Sequence, residues 1–278
     1  MRLSRNQTIV ALLLIALLFG FTVFQASWLA PSPAGAAMLI SDHAVDPVRS
    51  ADGCIADANS AFGRLPVGPD VGALQGAAGS GADMVRITTE VIDGAVMPAR
   101  QYKSTCPADA ARPRGTVNEV VGALSKPMRL WDIKGALAAD RIRRILPDDG
   151  RDAFLGDAYA LKVIRAARPK ALAFSVAEAR QCAADYRSSG IWGNVPPACK
   201  GRVMLLTLDD LGYTLWGWPN RFLARMKDAG VTVVIAESVD GDRVKGLTDM
   251  HQYGEIAHSY DGYIWIDDIA ELGPALKR

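Results

Sequence analysis

The sequence predicts a single α/β domain, a (β/α)8 TIM barrel, preceded by a separate N-terminal apolar segment. Three observations support this prediction. Half of the 278 residues are hydrophobic, which is enough to bury a sizeable core. Short runs rich in Val, Ile and Leu recur along the chain, with helical patterns between them. Eight such runs over roughly 240 residues fit a closed barrel better than an open doubly wound sheet.

Eight short segments predict the strands of the barrel. Each combines β-branched or aromatic residues with a length typical of a buried or half-buried strand. In chain order they are MLISDHAV (38–45), DMVRITTEVI (83–92), MRLWDIKG (128–135), RDAFLGD (151–157), KALAFSV (170–176), RVMLLTLDD (202–210), VTVVIAESV (231–239) and GYIWIDDI (262–269). Strands that alternate with helices in this way predict βα units and a parallel sheet.

The connecting segments have the features of helices. One begins with Thr116 and Glu119 in capping-box spacing, and another ends at Gly230. Residues 138–146 and 158–168 carry apolar residues at intervals of three and four. Each helix can therefore cover one face of the sheet.

The N-terminal segment is organised differently from the rest of the chain. Basic residues precede an apolar run from Ile9 to Phe24, and the small residues of the AGAA stretch follow. This layout is typical of an export signal, although the run also approaches the length of a membrane anchor. We expect residues 1–37 to be a signal peptide or an anchor in the inner membrane. Residues 38–278 would then form a periplasmic or extracellular barrel.

The overall charge and the motifs exclude several classes of partner. The chain has 31 basic and 30 acidic residues, so its net charge is too small to attract it to nucleic acid. No GxGxxG motif follows the first strand, and no GxxxxGK[ST] motif occurs. The sequence therefore gives little support to a nucleotide-binding or nucleic-acid-binding function.

Four cysteines fit an oxidising compartment: Cys54, Cys106, Cys182 and Cys199. An even number of cysteines without a CxxC pair favours disulfides over zinc. Of the three possible connectivities we favour Cys54 with Cys106 and Cys182 with Cys199, because each would close a loop-rich segment. In the alternative, one pair consists of two buried thiols.

The ends of the predicted strands indicate where a site would lie, because the βα loops of a barrel build its active site. These ends carry His43, Glu90, Asp132 with Lys134, Asp157, Ser175, Asp209 with Asp210, Glu237, and Asp267 with Asp268. Converging carboxylates imply a bound cation, a cationic side chain among them, or raised pKa values. Alternatively, individual members are helix N-caps, which is the more common role for Asp157, Asp209 or Asp210 taken singly.

An aromatic cluster follows the sixth predicted strand, where Tyr213, Trp216 and Trp218 lie close together. Such a cluster can stack on a sugar or a choline headgroup, or contact a membrane surface. Core packing beneath a long loop is the alternative.

The second predicted strand carries a resemblance to a known family. The stretch GADMVRITTEVIDGAVMPA (81–99) resembles the second strand of glycerophosphodiester phosphodiesterases, in which a Glu-x-Asp metal pair, a DG turn and a His-Asp pair follow a GAD stretch. RLWDIKG is similar to the family's third strand, and NRFLARMKDAGVTVV and DGYIWIDDIAEL are similar to its last two βα units. The resemblance spans Met38 to the C-terminus and implies the PLC-like phosphodiesterase type of barrel.

The motifs of this family are degenerate in the sequence. Arg86 and Thr88 stand at the Glu-x-Asp positions, and Ala99 and Arg100 stand where the His-Asp pair would follow. The family enzymes use a divalent metal to neutralise the phosphodiester and two histidines as acid and base. The resemblance therefore implies a barrel that has lost most of the parts of this mechanism.

Other positions retain matches to the family. Asp132 stands for the family's glutamate on the third strand, Lys134 matches its lysine, and His43 could stand for the first catalytic histidine. We take these three as the candidate catalytic residues. The candidate ligand-binding residues are Arg86, Glu90, Asp267, Trp216 and Trp218.

Three functions remain open at this stage. In the first, the exported barrel is a pseudoenzyme that uses no cofactor and binds a phosphate-bearing or other anionic small ligand through Arg86 and Lys134. In the second, it is a phosphoric diester hydrolase of lipid metabolism, in which Glu90, Asp132, Asp267 and His43 surround Ca²⁺ or Mg²⁺ and cleave glycerophosphodiesters. In the third, Arg86 forms a salt bridge with Asp132 or Glu90 and fills the barrel without any ligand.

Overall fold

The structure is a computed structural model of the chain. It describes residues 5–25, 31–33, 35–42, 46–49, 55–58, 71–98, 115–212 and 215–276. The strands are β1 (Met38–Ser41), β2 (Asp46–Arg49), β3 (Ile55–Ala58), β4 (Met84–Ile92), β5 (Ala95–Pro98), β6 (Met128–Ile133), β7 (Asp152–Gly156), β8 (Ala173–Phe174), β9 (Val203–Thr207), β10 (Thr232–Ala236), β11 (Ser238–Asp240), β12 (Arg243–Lys245) and β13 (Tyr263–Ile266).

The described helices alternate with the strands of the barrel. They are α1 (Arg5–Gln25), α2 (Val71–Gly79), α3 (Val117–Ala123), α4 (Ala136–Ile145), α5 (Ala158–Ala167), α6 (Val176–Ser189), α7 (Asn220–Asp228), α8 (Met250–Gly254) and α9 (Ile269–Leu276). Helix α3 begins with the expected capping box between Thr116 and Glu119. Asp157 and Ser175 are the N-caps of α5 and α6, so these two strand-end residues hold helix termini.

Eight parallel strands form a nearly closed barrel in the order β8-β7-β6-β4-β1-β13-β10-β9. The first and last barrel strands along the chain, β1 and β13, pair side by side, with Met38 opposite Tyr263. Starting at β1 and going around the barrel through β4, the eight strands follow one another in the order in which they occur along the chain. The predicted (β/α)8 barrel is therefore confirmed.

The structure adds antiparallel pairs that the sequence analysis did not predict. β5 folds back on β4 through the Asp93-Gly94 turn, and Asp93 has a positive φ of 47°. β11 pairs with β12 directly after β10, where the predicted seventh strand extends too far. The fifth barrel strand is shorter than predicted and comprises only Ala173 and Phe174.

The core consists of two layers, because successive side chains of a strand point to opposite faces. The interior of the barrel contains Ile40, Met84, Leu130, Leu205 and Trp265, all buried. The alternate positions of the same strands pack against the helices; among them are Leu39, Val85, Trp131, Leu206 and Ile264. Each large apolar side chain buried in these layers stabilises the fold by about 1.5–3 kcal/mol.

Helix α6 fills the seam between β8 and β9, the two ends of the strand order. Val176 and Ala179 pack into the interior cluster. A guanidinium N–H of Arg180 donates to the Leu205 carbonyl of β9 at 3.0 Å. On the other side of the seam, Arg165 donates to the Ala173 carbonyl of β8 at 2.9 Å. These contacts satisfy carbonyl groups at the edges of the seam.

The disulfide between Cys182 and Cys199 joins α6 to the segment that precedes β9. This bond confirms one of the two predicted pairings. Cys54 and Cys106, the other predicted pair, lie outside the described residues.

We expect the Cys182→Ser/Cys199→Ser double variant to lose about 2–4 kcal/mol of unfolding free energy, because the disulfide closes a loop of 17 residues. Urea unfolding followed by circular dichroism measures this loss. A change of less than about 0.5 kcal/mol would contradict a stabilising role for the bond.

The N-terminal helix α1 carries a long series of exposed apolar side chains, including Leu12, Leu14, Leu17 and Phe19. Within the described part of the chain, no helix meets the length and apolarity required to cross a membrane. The role of this segment as a signal peptide or anchor stays a prediction.

Candidate functional site

Arg86 of β4 projects into the barrel at the mouth, the end at which the strands terminate. It follows the interior residue Met84 by two positions and therefore faces the same side of the strand. Its Nη1 lies 2.5 Å from Oδ2 of Asp42, and its Nη2 lies 2.5 Å from Oδ2 of Asp132. The three residues, here called the ion triad, come from β4 and from the ends of its two neighbours, β1 and β6.

The ion triad is largely shielded from water. The Arg86 side chain is 19% exposed, and those of Asp42 and Asp132 are 8% and 9% exposed. Burial lowers the pKa of Arg86, but the Asp42 and Asp132 carboxylates outweigh burial and hold the pKa above its ordinary value. Arg86 is therefore a permanent cation.

Trp265 of β13 supports the ion triad. Its ring centroid lies 5.7 Å from the guanidinium carbon of Arg86, within the range of a cation–π contact. Its indole Nε1 donates to Oδ2 of Asp42 at 2.9 Å. The ring therefore fixes both the cation and one of the carboxylates.

Asp267 also lies at the mouth, two residues beyond Trp265. Burial raises its pKa to about 7, and the neighbouring Asp42 and Glu237 carboxylates add to the increase. The Gly246 N–H and the Arg86 charge act in the opposite direction. Asp267 is thus a carboxylic acid that titrates near neutral pH and lies within the electrostatic reach of the ion triad.

A strap of residues 237–247, which contains β11 and β12, crosses the mouth beside Asp267. Val244 of this strap is buried in the interior cluster. The Lys245 ammonium lies 2.6 Å from Oε1 of Glu237 and closes the base of the strap. A side chain at Gly246 would have its Cβ 2.7 Å from the backbone N of Asp267, so only glycine permits this close approach.

The structure brings together some of the predicted site residues. Arg86 and Asp132 are in direct contact, and Asp267 lies close enough to Arg86 for its pKa to respond. Lys134 is exposed at the start of the β6–α4 connection. The pKa of Asp157 is lowered mainly by the hydrogen bond from the Ala160 N–H, and the Lys134 charge makes a smaller contribution. Glu90 lies beyond the barrel, opposite Met97 in the β4–β5 hairpin.

Asp209 is exposed in the turn after β9, whereas its neighbour Asp210 has a structural role. Asp210 is buried and accepts from the Thr207 N–H at 2.8 Å and from the guanidinium groups of Arg180 and Arg187. It therefore caps the turn that follows β9. His43, the candidate at the end of the first strand, lies outside the described residues, as does Tyr213 of the predicted aromatic cluster.

Comparisons with solved structures identify the architecture. The glycerophosphoryl diester phosphodiesterase domain of a Mycobacterium tuberculosis protein matches with a TM-score of 0.59 over 87% of this chain and 100% of that domain, at 13% identity. The glycerophosphodiester phosphodiesterase of Agrobacterium tumefaciens matches with a TM-score of 0.53 over 87% of this chain and 99% of its own, at 14% identity. The chain has the glycerophosphodiester phosphodiesterase fold.

A third structure adds a bound product. A phosphodiesterase from Oleispira antarctica, solved in complex with sn-glycerol-3-phosphate, matches with a TM-score of 0.53 over 91% of this chain and all of its own, at 13% identity. No protein-family model matches the sequence. No curated protein matches it either.

The ion triad does not fit the divalent metal that the glycerophosphodiester phosphodiesterase fold implies. Asp42 and Asp132 each direct a carboxylate oxygen at the Arg86 guanidinium. A metal ion would have to share these oxygens with a fixed positive charge at short range, which is electrostatically unfavourable. Across the described residues, no group of three or more His, Cys, Asp or Glu side chains is arranged to hold a metal ion.

The two tryptophans of the loop after β9 pack against the outer layer of this fold. The Trp216 indole donates to the Arg187 carbonyl at 2.8 Å. The Trp218 ring lies at a tilt to those of Phe222 and Tyr260, with ring centroids 5.7 and 6.2 Å away. Both rings are partly buried, and their role in ligand binding stays a prediction.

The sequence analysis missed Asp42 because it assigned the end of the first strand to His43. The signal was present, because Ile40 and Asp42 are two positions apart and share a face of the strand. Ile40 lies in the barrel interior, so Asp42 projects into the mouth. Asp42, at this inward-facing position, supplies one of the two partners of Arg86.

Proposed function

We propose that this protein is a non-catalytic barrel of the glycerophosphodiester phosphodiesterase fold that binds a small phosphate-bearing or other anionic ligand at its mouth. The ion triad is the observation that carries the proposal. A guanidinium bridges the carboxylates of two flanking strands, and all three groups are largely buried. The Cys182–Cys199 disulfide is compatible with the periplasmic or extracellular location that we propose.

The chemistry of the ion triad argues against metal-assisted hydrolysis. A divalent metal lowers the pKa of bound water and so generates a nucleophile at neutral pH. A guanidinium stays protonated and supplies charge and hydrogen bonds, but it cannot activate water in this way. Arg86 can therefore hold a phosphate group without cleaving its ester.

The donors at the mouth support an anionic ligand. Arg86 has five N–H groups, of which the contacts with Asp42 and Asp132 use two. Within the described residues, its buried Nε has no hydrogen-bond partner. Lys134 is exposed at the rim and can add a second cation. The Oleispira antarctica phosphodiesterase of the same fold holds sn-glycerol-3-phosphate, which makes this compound a suitable first probe.

The proposal predicts binding without turnover. With glycerophosphocholine and either Ca²⁺ or Mg²⁺, we expect no release of glycerol phosphate above the blank. With sn-glycerol-3-phosphate, we expect a higher melting temperature. Lys134→Ala should reduce this increase, whereas Lys126→Ala, which removes an exposed lysine near the opposite end of β6, should leave it unchanged.

Two results would contradict this proposal. Metal-dependent turnover that is lost in Asp132→Ala would establish hydrolysis. A melting temperature that does not respond to glycerol phosphate, inorganic phosphate or sulfate would support a barrel filled by the ion triad alone.

The raised pKa of Asp267 favours a second candidate, a metal-independent phosphoric diester hydrolase. A carboxylic acid that titrates at about 7 suits general acid–base catalysis, and Arg86 is a nearby permanent cation. The distinguishing test is hydrolysis in the presence of EDTA. Turnover that persists with EDTA and is lost in Asp267→Asn would support this candidate over the binding protein.

A further inference from the structure

A second surface, far from the mouth, combines an exposed tryptophan with a polar cavity. Helix α6 follows its N-cap Ser175, at the mouth end of β8, and its 14 residues extend about 21 Å back along the barrel. Trp192 follows its C-terminal end and is 71% exposed. This surface is therefore separate from the ion triad and from Asp267.

The loop that carries Trp192 is held in a defined conformation. The Cys182–Cys199 disulfide anchors both sides of it. Gly190 packs so closely on the Tyr186 ring that an added Cβ would lie 2.7 Å from a ring carbon. Gly193 has a positive φ of 79°, which glycine adopts without strain. The indole is therefore presented on a rigid platform, which lowers the entropy cost of binding.

An open cavity of about 420 Å³ lies on the same loop. It is lined by Asp185, Ser188, Ser189, Asn194, Val195, Pro196, Pro197 and Ala198. Asn194 is separated from Trp192 by a single glycine. The volume is near the lower limit of typical small-molecule sites.

The polar groups of the cavity are suited to hydroxyl groups. The hydroxyls of Ser188 and Ser189 both donate to the Asp185 carbonyl, at 2.9 and 2.8 Å, so their oxygen lone pairs remain available as acceptors. Oδ1 of Asp185 accepts from Gln181 at 2.8 Å, and a carboxylate has further acceptor capacity. The Asn194 amide supplies both a donor and an acceptor.

The charge of the lining narrows the class of ligand. It contains one carboxylate and no cationic side chain, so a phosphate, a sulfate or an acidic sugar would be repelled. Trp192 is not part of the lining, but it is two residues from Asn194, which is. An exposed apolar ring on the same loop as these acceptors and the amide suits a pyranose, which has an apolar C–H face and hydroxyl groups at its edge. From these observations we infer that Trp192 and the adjacent cavity form a binding site for a neutral carbohydrate.

The test is binding of neutral trisaccharides to the full chain, measured by saturation-transfer NMR with cellotriose, maltotriose, mannotriose and chitotriose at about 10 mM. We expect at least one trisaccharide to bind. Trp192→Ala should weaken its binding about tenfold or more, and Asn194→Ala should weaken it less. Tyr159→Ala is the matched control, because Tyr159 is 75% exposed on a different helix, and it should have no effect.

Several results would overturn the inference. The absence of binding by all four trisaccharides would do so, as would equal binding by Trp192→Ala with an unchanged melting curve. Analytical ultracentrifugation tests the alternative of a contact between copies of the chain. If Trp192→Ala abolishes self-association and does not affect sugar binding, Trp192 forms such a contact instead. Glycerol phosphate should not compete with the sugar, so the outcome is independent of the function proposed for the mouth.

Discussion

Arg86→Met will lower the free energy of unfolding by about 3–5 kcal/mol, because it leaves Asp42 and Asp132 buried without their cation. Methionine retains most of the length of the side chain, so little free energy is lost by leaving a cavity. For a domain of this size, the loss corresponds to a decrease in melting temperature of about 10 °C. Urea unfolding at pH 8 measures it.

The triple variant Asp42→Asn/Arg86→Met/Asp132→Asn is the informative control. It removes the two uncompensated charges together with the cation, and we expect it to recover at least half of the lost stability. Should Arg86→Met instead cost less than about 1 kcal/mol, the guanidinium would not be the counter-ion of these carboxylates.

A second buried arginine provides a matched comparison. Arg129 of β6 is 1% exposed and lies 2.7 Å from both Asp152 and Asp149, on the side of the strand that faces the helices. Arg129→Met should destabilise the protein by a similar amount. Because Arg129 is remote from the mouth, its replacement should leave the binding of sn-glycerol-3-phosphate unchanged at temperatures where the variant is folded.

Asp267→Asn will stabilise the protein above pH 7 and remove a pH dependence of unfolding. The folded-state pKa of Asp267 is raised to about 7 from an unfolded value near 3.8. The stability from its protonated form is therefore fully present below pH 4 and is lost as the pH rises towards 7. This shift corresponds to at most about 4 kcal/mol, and partial exposure reduces the expected gain in Asp267→Asn at pH 8 to about 2 kcal/mol.

The charged groups around Asp267 determine this expectation. Asp42 and Glu237 oppose its ionisation, and Arg86 favours it. The Lys245 ammonium of the strap also lies within reach of its charge. Because ionisation of Asp267 adds a negative charge to the mouth, sulfate, whose own charge is constant in this range, should bind more weakly as the pH rises through 7, and Asp267→Asn should abolish this change.

Asp268→Asn is the control for the pH experiment. Asp268 caps the N-terminus of α9 by accepting from the Glu271 N–H, and asparagine preserves a cap. Unfolding curves from pH 4 to pH 9 should therefore match those of the wild type. If Asp267→Asn also matches the wild type at every pH, Asp267 does not titrate near neutrality.

The barrel was predictable from sequence because each of its strands and helices has a pattern that can be recognised within a short stretch of the chain. Each strand is a short apolar run, and each helix shows its own periodicity, so the count of eight required no knowledge of long-range contacts. The strap was missed for the same reason. The run that ends at Val239 has the pattern of one strand, whereas the Gly241-Asp242 turn folds the chain back across the mouth.

The site was predictable only in part. The contact between Arg86 and Asp132 belonged to one of three open alternatives. Arg86 lies opposite Leu130 on the neighbouring strand, and Asp132 is two positions further along and on the same face. Asp42 was hidden by the more conspicuous His43. The elevated pKa of Asp267 depends on its burial and on its proximity to Asp42 and Glu237, and no sequence pattern encodes this arrangement.

The central proposal is that a side-chain cation, Arg86, holds the carboxylates at the mouth, where the resemblance to glycerophosphodiester phosphodiesterases implies a metal site. A crystal structure from crystals soaked in about 10 mM MnCl₂, with anomalous scattering at the manganese edge, tests it most directly. We predict that the Arg86 guanidinium lies between Asp42 and Asp132 and that the mouth shows no anomalous peak. A manganese ion bound by either aspartate, or an Arg86 side chain that points into the helical layer, would contradict the claim.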